Sequence, residues 1–180
     1  MAEVVAVSRQ QRHLVTKDVV DSVQLLAGRG IQGDAHLGEM TKHRHRARRH
    51  PTAPNLRQVH LIHAELFEEL AEKGFSVKPG QMGENITTRQ IDLLALSKGT
   101  RLVLGDEAVI ELTGLRNPCI LLDKLMLGLM KAVLGRDLAG ELIRKAGVMS
   151  IVIVGGMVRT DDPITVILPD GPHVPLEPVE

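Results

Sequence analysis

Tryptophan and tyrosine are absent, and phenylalanine occurs only at Phe67 and Phe75. Readers of single-stranded nucleic acid stack bases on aromatic side chains, so this composition argues against that class. Cys119 is the only cysteine. An intramolecular disulfide is excluded, as is any Cys-x-x-Cys zinc or redox site. No apolar run nears the ~18–20 residues that span a bilayer, so no membrane partner is expected. The start, MAEVVAVSRQQ, has neither a basic opening nor a long apolar stretch. No signal peptide is therefore expected, and a reducing, cytoplasmic setting follows. Net charge is also lacking, with 22 Lys and Arg against 22 Asp and Glu. No global field draws the protein to DNA or membrane.

What is present fits a folded chain. Apolar residues make up 43% and charged residues 24% of 180 residues. That length suits a single domain and allows about 70% of the unfolded surface to be buried. Charge is unevenly spread. No acid lies between Glu39 and Glu65, a stretch holding Lys42, Arg44, Arg46, Arg48, Arg49, Arg57 and five of the eight histidines. Beyond Arg159 come Asp161, Asp162, Asp170, Glu177 and Glu180 with no Lys or Arg. Residues 40–56 therefore read as a mobile basic loop.

Hydrophobic periodicity predicts strands at 2–7, 57–62, from 85–88, 101–104, 107–113, 149–154 and 164–168. Gly105-Asp106 makes the fourth and fifth a hairpin. In HAELFEELAEKG, Ile62, Leu66, Phe67 and Leu70 share a helical face that Gly74 ends. Residues 118–134 predict a buried helix, apolar nearly all round. A second helix is expected at 138–146, with Asp137 as N-cap and Gly147 beyond its end. No βαβ alternation is evident. The order favours a mostly β fold, an antiparallel or mixed sheet closing towards a barrel.

Gly28-Arg29-Gly30-Ile31-Gln32-Gly33 matches GxGxxG, but the dinucleotide reading needs a following helix and an acid ~20 residues on, and neither is evident. A glycine-rich turn is the simpler reading. His60 and His63 lack zinc-site partners, and the cations around His43, His45 and His50 oppose metal binding. Residues 42–50 (KHRHRARRH) could hold phosphate by guanidinium contacts, or form a solvated loop. The Gly83-Glu84-Asn85 loop sets a carboxylate and an amide beside flexible glycine. Asn117 suits a helix N-cap and Pro118 its first position. Cys119 would then sit in the first turn, where the dipole and Arg116 favour thiolate. A thiolate binds soft metals or attacks electrophiles. The competing reading is a cysteine buried as a small hydrophobe.

Taken together, GIQGDAHLG (30–38), RQVHLIHAEL (57–66), PGQMGENITT (79–88), IDLLALSKGTRLVLGDEAVIELTGLRNPC (91–119) and RKAGVMSIVIVGG (144–156) resemble the MOSC domain, named after the C-terminal domain of molybdenum-cofactor sulfurase. The resemblance covers about residues 28–168 and is greatest to stand-alone bacterial members. It implies a single domain, a MOSC-type β-barrel with a few peripheral helices. It implies molybdenum cofactor (molybdopterin) binding, with Cys119 as metal ligand and catalytic residue. Arg116, Asn117, Gly83, Glu84, Asn85, Gly33 and Asp34 would face the cofactor, and Arg57 its phosphate. An enzyme of this kind would be a molybdenum-dependent oxidoreductase reducing small N-hydroxylated compounds, with an electron-donor reductase as partner. A sulfur or cofactor carrier is the alternative within the family. From another class, residues 42–57 could serve a non-enzymatic module binding anions or nucleic acid. The chain lacks room for a pyridoxal phosphate domain, and an oligomer is left open. One departure is Gln90, where related sequences often place glycine.

Overall fold

Short runs of β-branched residues and leucine set strands along most of the chain. The computed structural model describes residues 1–42 and 44–179. His43 and Glu180, noted above for their charge, lie outside the described residues, as do the side chains of residues 44–46. The strands are β1 (Glu3–Arg9), β2 (Asp18–Val20), β3 (Ser22–Leu26), β4 (Gly30–Ile31), β5 (Val59–His63), β6 (Ile86–Arg89), β7 (Arg101–Leu104), β8 (Ala108–Leu115), β9 (Leu134–Arg136), β10 (Leu142–Arg144), β11 (Val148–Val154), β12 (Gly156–Arg159) and β13 (Ile164–Ile167). The helices are α1 (Arg44–Arg49), α2 (Glu65–Glu72), α3 (Leu121–Leu125) and α4 (Leu129–Ala132). The fold is mostly β, with few helices.

Eight strands form one mixed sheet in the order β13-β7-β8-β11-β5-β6-β1-β2. Neighbours run antiparallel except β5 and β6, which run parallel with Leu61 opposite Ile86. A parallel pair needs a crossover, and α2 supplies it, so one βαβ unit is present after all. Smaller sheets join β12, β3 and β4, and β10 with β9. The expected barrel is not seen as a closed ladder among the described residues. The start of β1 meets residues 161–164 only through a Glu3–Pro163 bridge and single bonds, such as Ile164 N–H to the Ala2 carbonyl at 2.9 Å. Pro163 has no N–H to extend that ladder.

The sheet buries one core, including Val4, Leu25, Leu61, Leu102, Ile110 and Val152. A second core joins Ile62, Leu66 and Leu70 to Met82, Leu122, Leu129 and Val133 beneath the helices. The 118–134 helix is broken. Gly128 adopts a left-handed φ of 89°, separating α3 from α4, and both short helices bury leucines in this second core. The helix predicted at 138–146 is instead the β9–β10 hairpin, whose Asp137 carboxylate accepts the Glu141 N–H at 2.8 Å across the turn. The 40–56 segment contains α1 and is zipped at its base by a Met40–Pro54 bridge and a bond from Thr41 N–H to the Ala53 carbonyl.

Candidate functional site

Several elements end around one cleft of about 180 Å³. Arg57 leads into β5, Asn85 precedes β6, Arg116 follows β8, and Met149 lies near the start of β11. The segment between β1 and β2 adds Leu14, Val15 and Lys17. Asn117, Cys119 and Leu121 come from the approach to α3.

Asp34 organises one wall from behind. Its carboxylate is almost fully buried and accepts from Lys17 Nζ at 2.7 Å, His36 Nδ1 at 3.2 Å and Asn85 Nδ2 at 3.0 Å. Burial alone would raise its pKa, but the His36 hydrogen bonds and the Lys17 charge hold it well below the usual carboxylate range. Burial pulls the Lys17 ammonium down in turn, against the attraction of Asp34. Asn85 ties three segments together. Its side chain also donates to the Ser8 carbonyl at 3.1 Å and accepts the His60 N–H at 3.2 Å.

His60 forms the floor. Its Nε2 donates to the Ala146 carbonyl at 2.7 Å, and burial followed by the Arg116 charge keeps the ring neutral. Gly147 permits this approach: a Cβ there would collide with the Leu61 carbonyl and press on His60 Nε2, and its φ is +90°. The Arg116 N–H donates to the Gly147 carbonyl at 2.9 Å, carrying the chain from β8 past the floor. Among the described residues, Arg116 Nη1 is buried without a hydrogen-bond partner. Burial lowers the guanidinium's pKa, opposed by attraction to Cys119 and Glu84. A cationic donor pointed at no protein acceptor is suited to an anionic ligand.

Cys119 is half-buried and lines the cleft. It does not occupy the first turn of a helix capped by Asn117. α3 begins at Leu121, and Cys119 instead accepts the Leu122 N–H through its carbonyl at 3.0 Å. Asn117 is exposed, and its side chain accepts from Arg144 Nε at 3.2 Å. The Arg116 guanidinium lies within electrostatic reach of Cys119 at the cleft wall.

Of the residues singled out from sequence, Cys119, Arg116, Asn117, Gly83, Asn85 and Arg57 border the cleft. Gly33, Asp34 and Glu84 are not among its lining residues. Glu84 is fully buried, accepts from Gly80 N–H and Thr87 Oγ1, and has its pKa raised by burial. It shapes the loop that carries Gly83 and Asn85. The sequence reading missed Lys17, His36 and His60 as parts of the site. His36 lies two residues from Asp34 and could have been noticed there; Lys17 carries no local signal. GxGxxG leads into turns rather than a helix, as its setting predicts. Among the described residues no three His, Cys, Asp or Glu side chains converge as a metal site. No helix among them is long and apolar enough to cross a membrane.

Known structures share this architecture. The YuaD protein from Bacillus subtilis aligns over 92% of this chain and 96% of its own, with a TM-score of 0.75 at 22% identity. YiiM from Geobacillus stearothermophilus aligns over 97% and 80%, with a TM-score of 0.68 at 17% identity. YiiM from Escherichia coli aligns over 96% and 73%, with a TM-score of 0.61 at 20% identity. At such identities the likeness speaks for the fold. Comparison with curated proteins finds no match. A family model for the MOSC domain matches residues 33–165, most of the strands and the whole stretch from Asp34 through Cys119. The chain belongs to the MOSC domain family.

Proposed function

We propose that the cleft binds the molybdenum cofactor, molybdopterin, with Cys119 as the protein's ligand to the metal. The observation that carries this reading is the pairing of a half-buried thiol with the partnerless Arg116 Nη1 in one cleft. The donor set fits the group. One thiolate suits a soft metal that arrives with dithiolene sulfurs, since the described residues offer no cluster to chelate a bare ion. Arg57 and Arg116 supply the positive charge that a phosphate-bearing pterin requires, Lys17 being already paired with Asp34. Bound there, the cofactor would supply two-electron chemistry, suited to cleaving the N–O bond of an N-hydroxylated compound to amine and water, with electrons from a partner reductase.

The chain's own residues then have separable tasks. Arg116 and Arg57 bind anionic groups, and Arg116 stands within electrostatic reach of Cys119. Asp34 orients His36 through Nδ1 and leaves Nε2 as the ring atom able to exchange a proton with a ligand. Neutral His60 and Met82 close the floor against water.

Protein made in a molybdenum-sufficient host is expected to carry molybdenum and to release a fluorescent pterin on oxidation. Cys119→Ala should lose most of the metal and reduce N-hydroxylated substrates at least about a hundredfold more slowly. Its thermal midpoint should move little. A Cys119→Ala protein with full metal content and activity would refute the assignment.

A further inference from the structure

Glu84 sits between two residues that line the cleft, Gly83 and Asn85, yet is itself fully buried. Its loop is locked against the segment that carries Lys17. Gly80 and Gly83 have φ of +81° and +84°, and a Cβ at either would strike the carbonyl of Lys17 or of Val15. The Lys17 N–H donates to the Gly80 carbonyl at 2.8 Å, and the Gly80 N–H donates to Glu84 Oε1 at 2.5 Å. Thr87 Oγ1 donates to the same oxygen at 3.3 Å. Among the described residues, Glu84 Oε2 is buried without a hydrogen-bond partner. Both hydrogen bonds thus fall on one oxygen, and the other can take a proton without breaking either.

Two cations and two carboxylates share this region. Lys17 is bonded to Asp34 at 2.7 Å. Arg116 lies within electrostatic reach of Glu84, and its Nη1 has no protein acceptor among the described residues. Lys17 also feels Glu84, while His60 is neutral. We propose that Glu84 is the proton site that balances charge in the cleft: an anion held at Arg116 binds together with a proton from solvent, which Glu84 Oε2 accepts. The inference rests on the reading that Arg116 takes an anionic group.

The physical reason is competition for one guanidinium. Taking charge out of water is costly unless it is balanced. Burial already raises the Glu84 pKa, opposed by the Gly80 amide, its own amide and the Arg116 charge. An anion at Arg116 Nη1 sets a second negative charge against the same cation, and neighbouring buried anions disfavour each other's ionised form. The carboxylate becomes a carboxylic acid, and nothing is oxidised or reduced. By reciprocity, protons must then favour the anion as much as the anion favours the proton. His36 and Cys119 are the competing proton sites on the cleft wall.

The probe is sulfate, which does not itself titrate near neutral pH. The full chain, made in a host without molybdenum cofactor, is titrated calorimetrically from about pH 5 to about pH 9 in buffers of different ionisation enthalpy, which counts the protons taken up. Sulfate affinity is expected to fall about tenfold in all as pH rises, with uptake of roughly half a proton at its peak. Glu84→Gln keeps an acceptor for the Gly80 N–H and fixes the neutral form. It should lose most of the pH dependence and bind sulfate about tenfold more tightly at the high-pH end. A residue that only shaped its loop would give a variant with weaker binding at every pH, and that result would overturn the proposal. So would uptake retained in Glu84→Gln, or abolished in His36→Gln or Cys119→Ser. The unaltered protein supplies a readout that needs no variant to fold: sulfate should add the carbonyl stretch of a protonated carboxylic acid to the infrared difference spectrum, and its absence would refute the assignment. If Arg116→Gln weakens sulfate binding but the unaltered protein takes up no proton, this inference alone falls. If sulfate does not bind, or binds Arg116→Gln equally well, Arg116 is no anion contact and both readings fail.

Discussion

Buried ionisable groups around the cleft couple its geometry to pH. His60 is held neutral in the folded protein with a pKa well below 6.5, and burial lowers His63 as well. In the unfolded chain both titrate near 6.5. Between their folded and unfolded values the unfolded state binds more protons, so stability falls as pH falls below about 6.5. Each group adds a slope of up to about 1.4 kcal/mol per pH unit. Asp34 has the opposite chemistry and the same sense. Its folded pKa is depressed, so its contribution is complete above the unfolded value and is lost only below about pH 4. Urea unfolding at pH 7 and pH 5 should therefore show a clear loss, and His60→Gln should shrink the difference. An identical difference in the variant would contradict the neutral-imidazole assignment. At this scale Cys119 and Arg116 were legible, because their segment has a recognisable local pattern. Lys17 was not. Its meaning comes from Asp34, which only the fold brings within 2.7 Å.

Elements were legible where pattern and neighbour agree. The β7–β8 hairpin follows from two apolar runs around Gly105-Asp106, and α2 from its apolar face ahead of Gly74. The stretch from 118 to 146 was misjudged because an apolar run carries no period once buried on several sides. Gly128 breaks it, and the Asp137 turn selects a hairpin over a helix. The departure at Gln90 has a structural counterpart. Gln90 has φ of 59°, in the region that glycine occupies without strain, and its N–H donates to Glu65 Oε1 at 2.8 Å. A left-handed residue other than glycine costs about 1–2 kcal/mol, while glycine returns roughly 0.5–1 kcal/mol of that through the freer unfolded chain. Gln90→Gly should keep the backbone hydrogen bond and gain up to about 1 kcal/mol, or about 2–4 °C in thermal midpoint. A lower midpoint would mean that the exposed side-chain contact with the N-terminus outweighs the relieved strain.

For the molecule as a whole, the resemblance foretold a mostly β fold, whereas the meeting of β1 with residues 161–164 depends on long-range geometry that no local pattern encodes. The same geometry sets two cores side by side, with the cleft at their seam. Leu61 points into the sheet core and its neighbour Ile62 into the helical core, while Met82 belongs to the helical core and lines the cleft. The two cores differ in how they are secured. β8 and β11 pair along their lengths in the middle of the large sheet. α3 and α4 are five and four residues long and hold few internal hydrogen bonds. Short helices depend on packing, so the helical core should open by itself at a lower free energy than global unfolding. The Met126, Ala132 and Val133 amides, bonded within α3 and α4, should then exchange at least about tenfold faster than those pairing β8 with β11. A ligand held at Cys119 and Arg116 spans the seam, since one sulfur precedes α3 and one guanidinium follows β8. Binding should therefore slow exchange in α3 and α4 more than in the sheet, because only the local opening separates the ligand's two attachments. Equal protection in both cores before and after loading would show that the protein opens as a single unit and that the seam carries no such coupling.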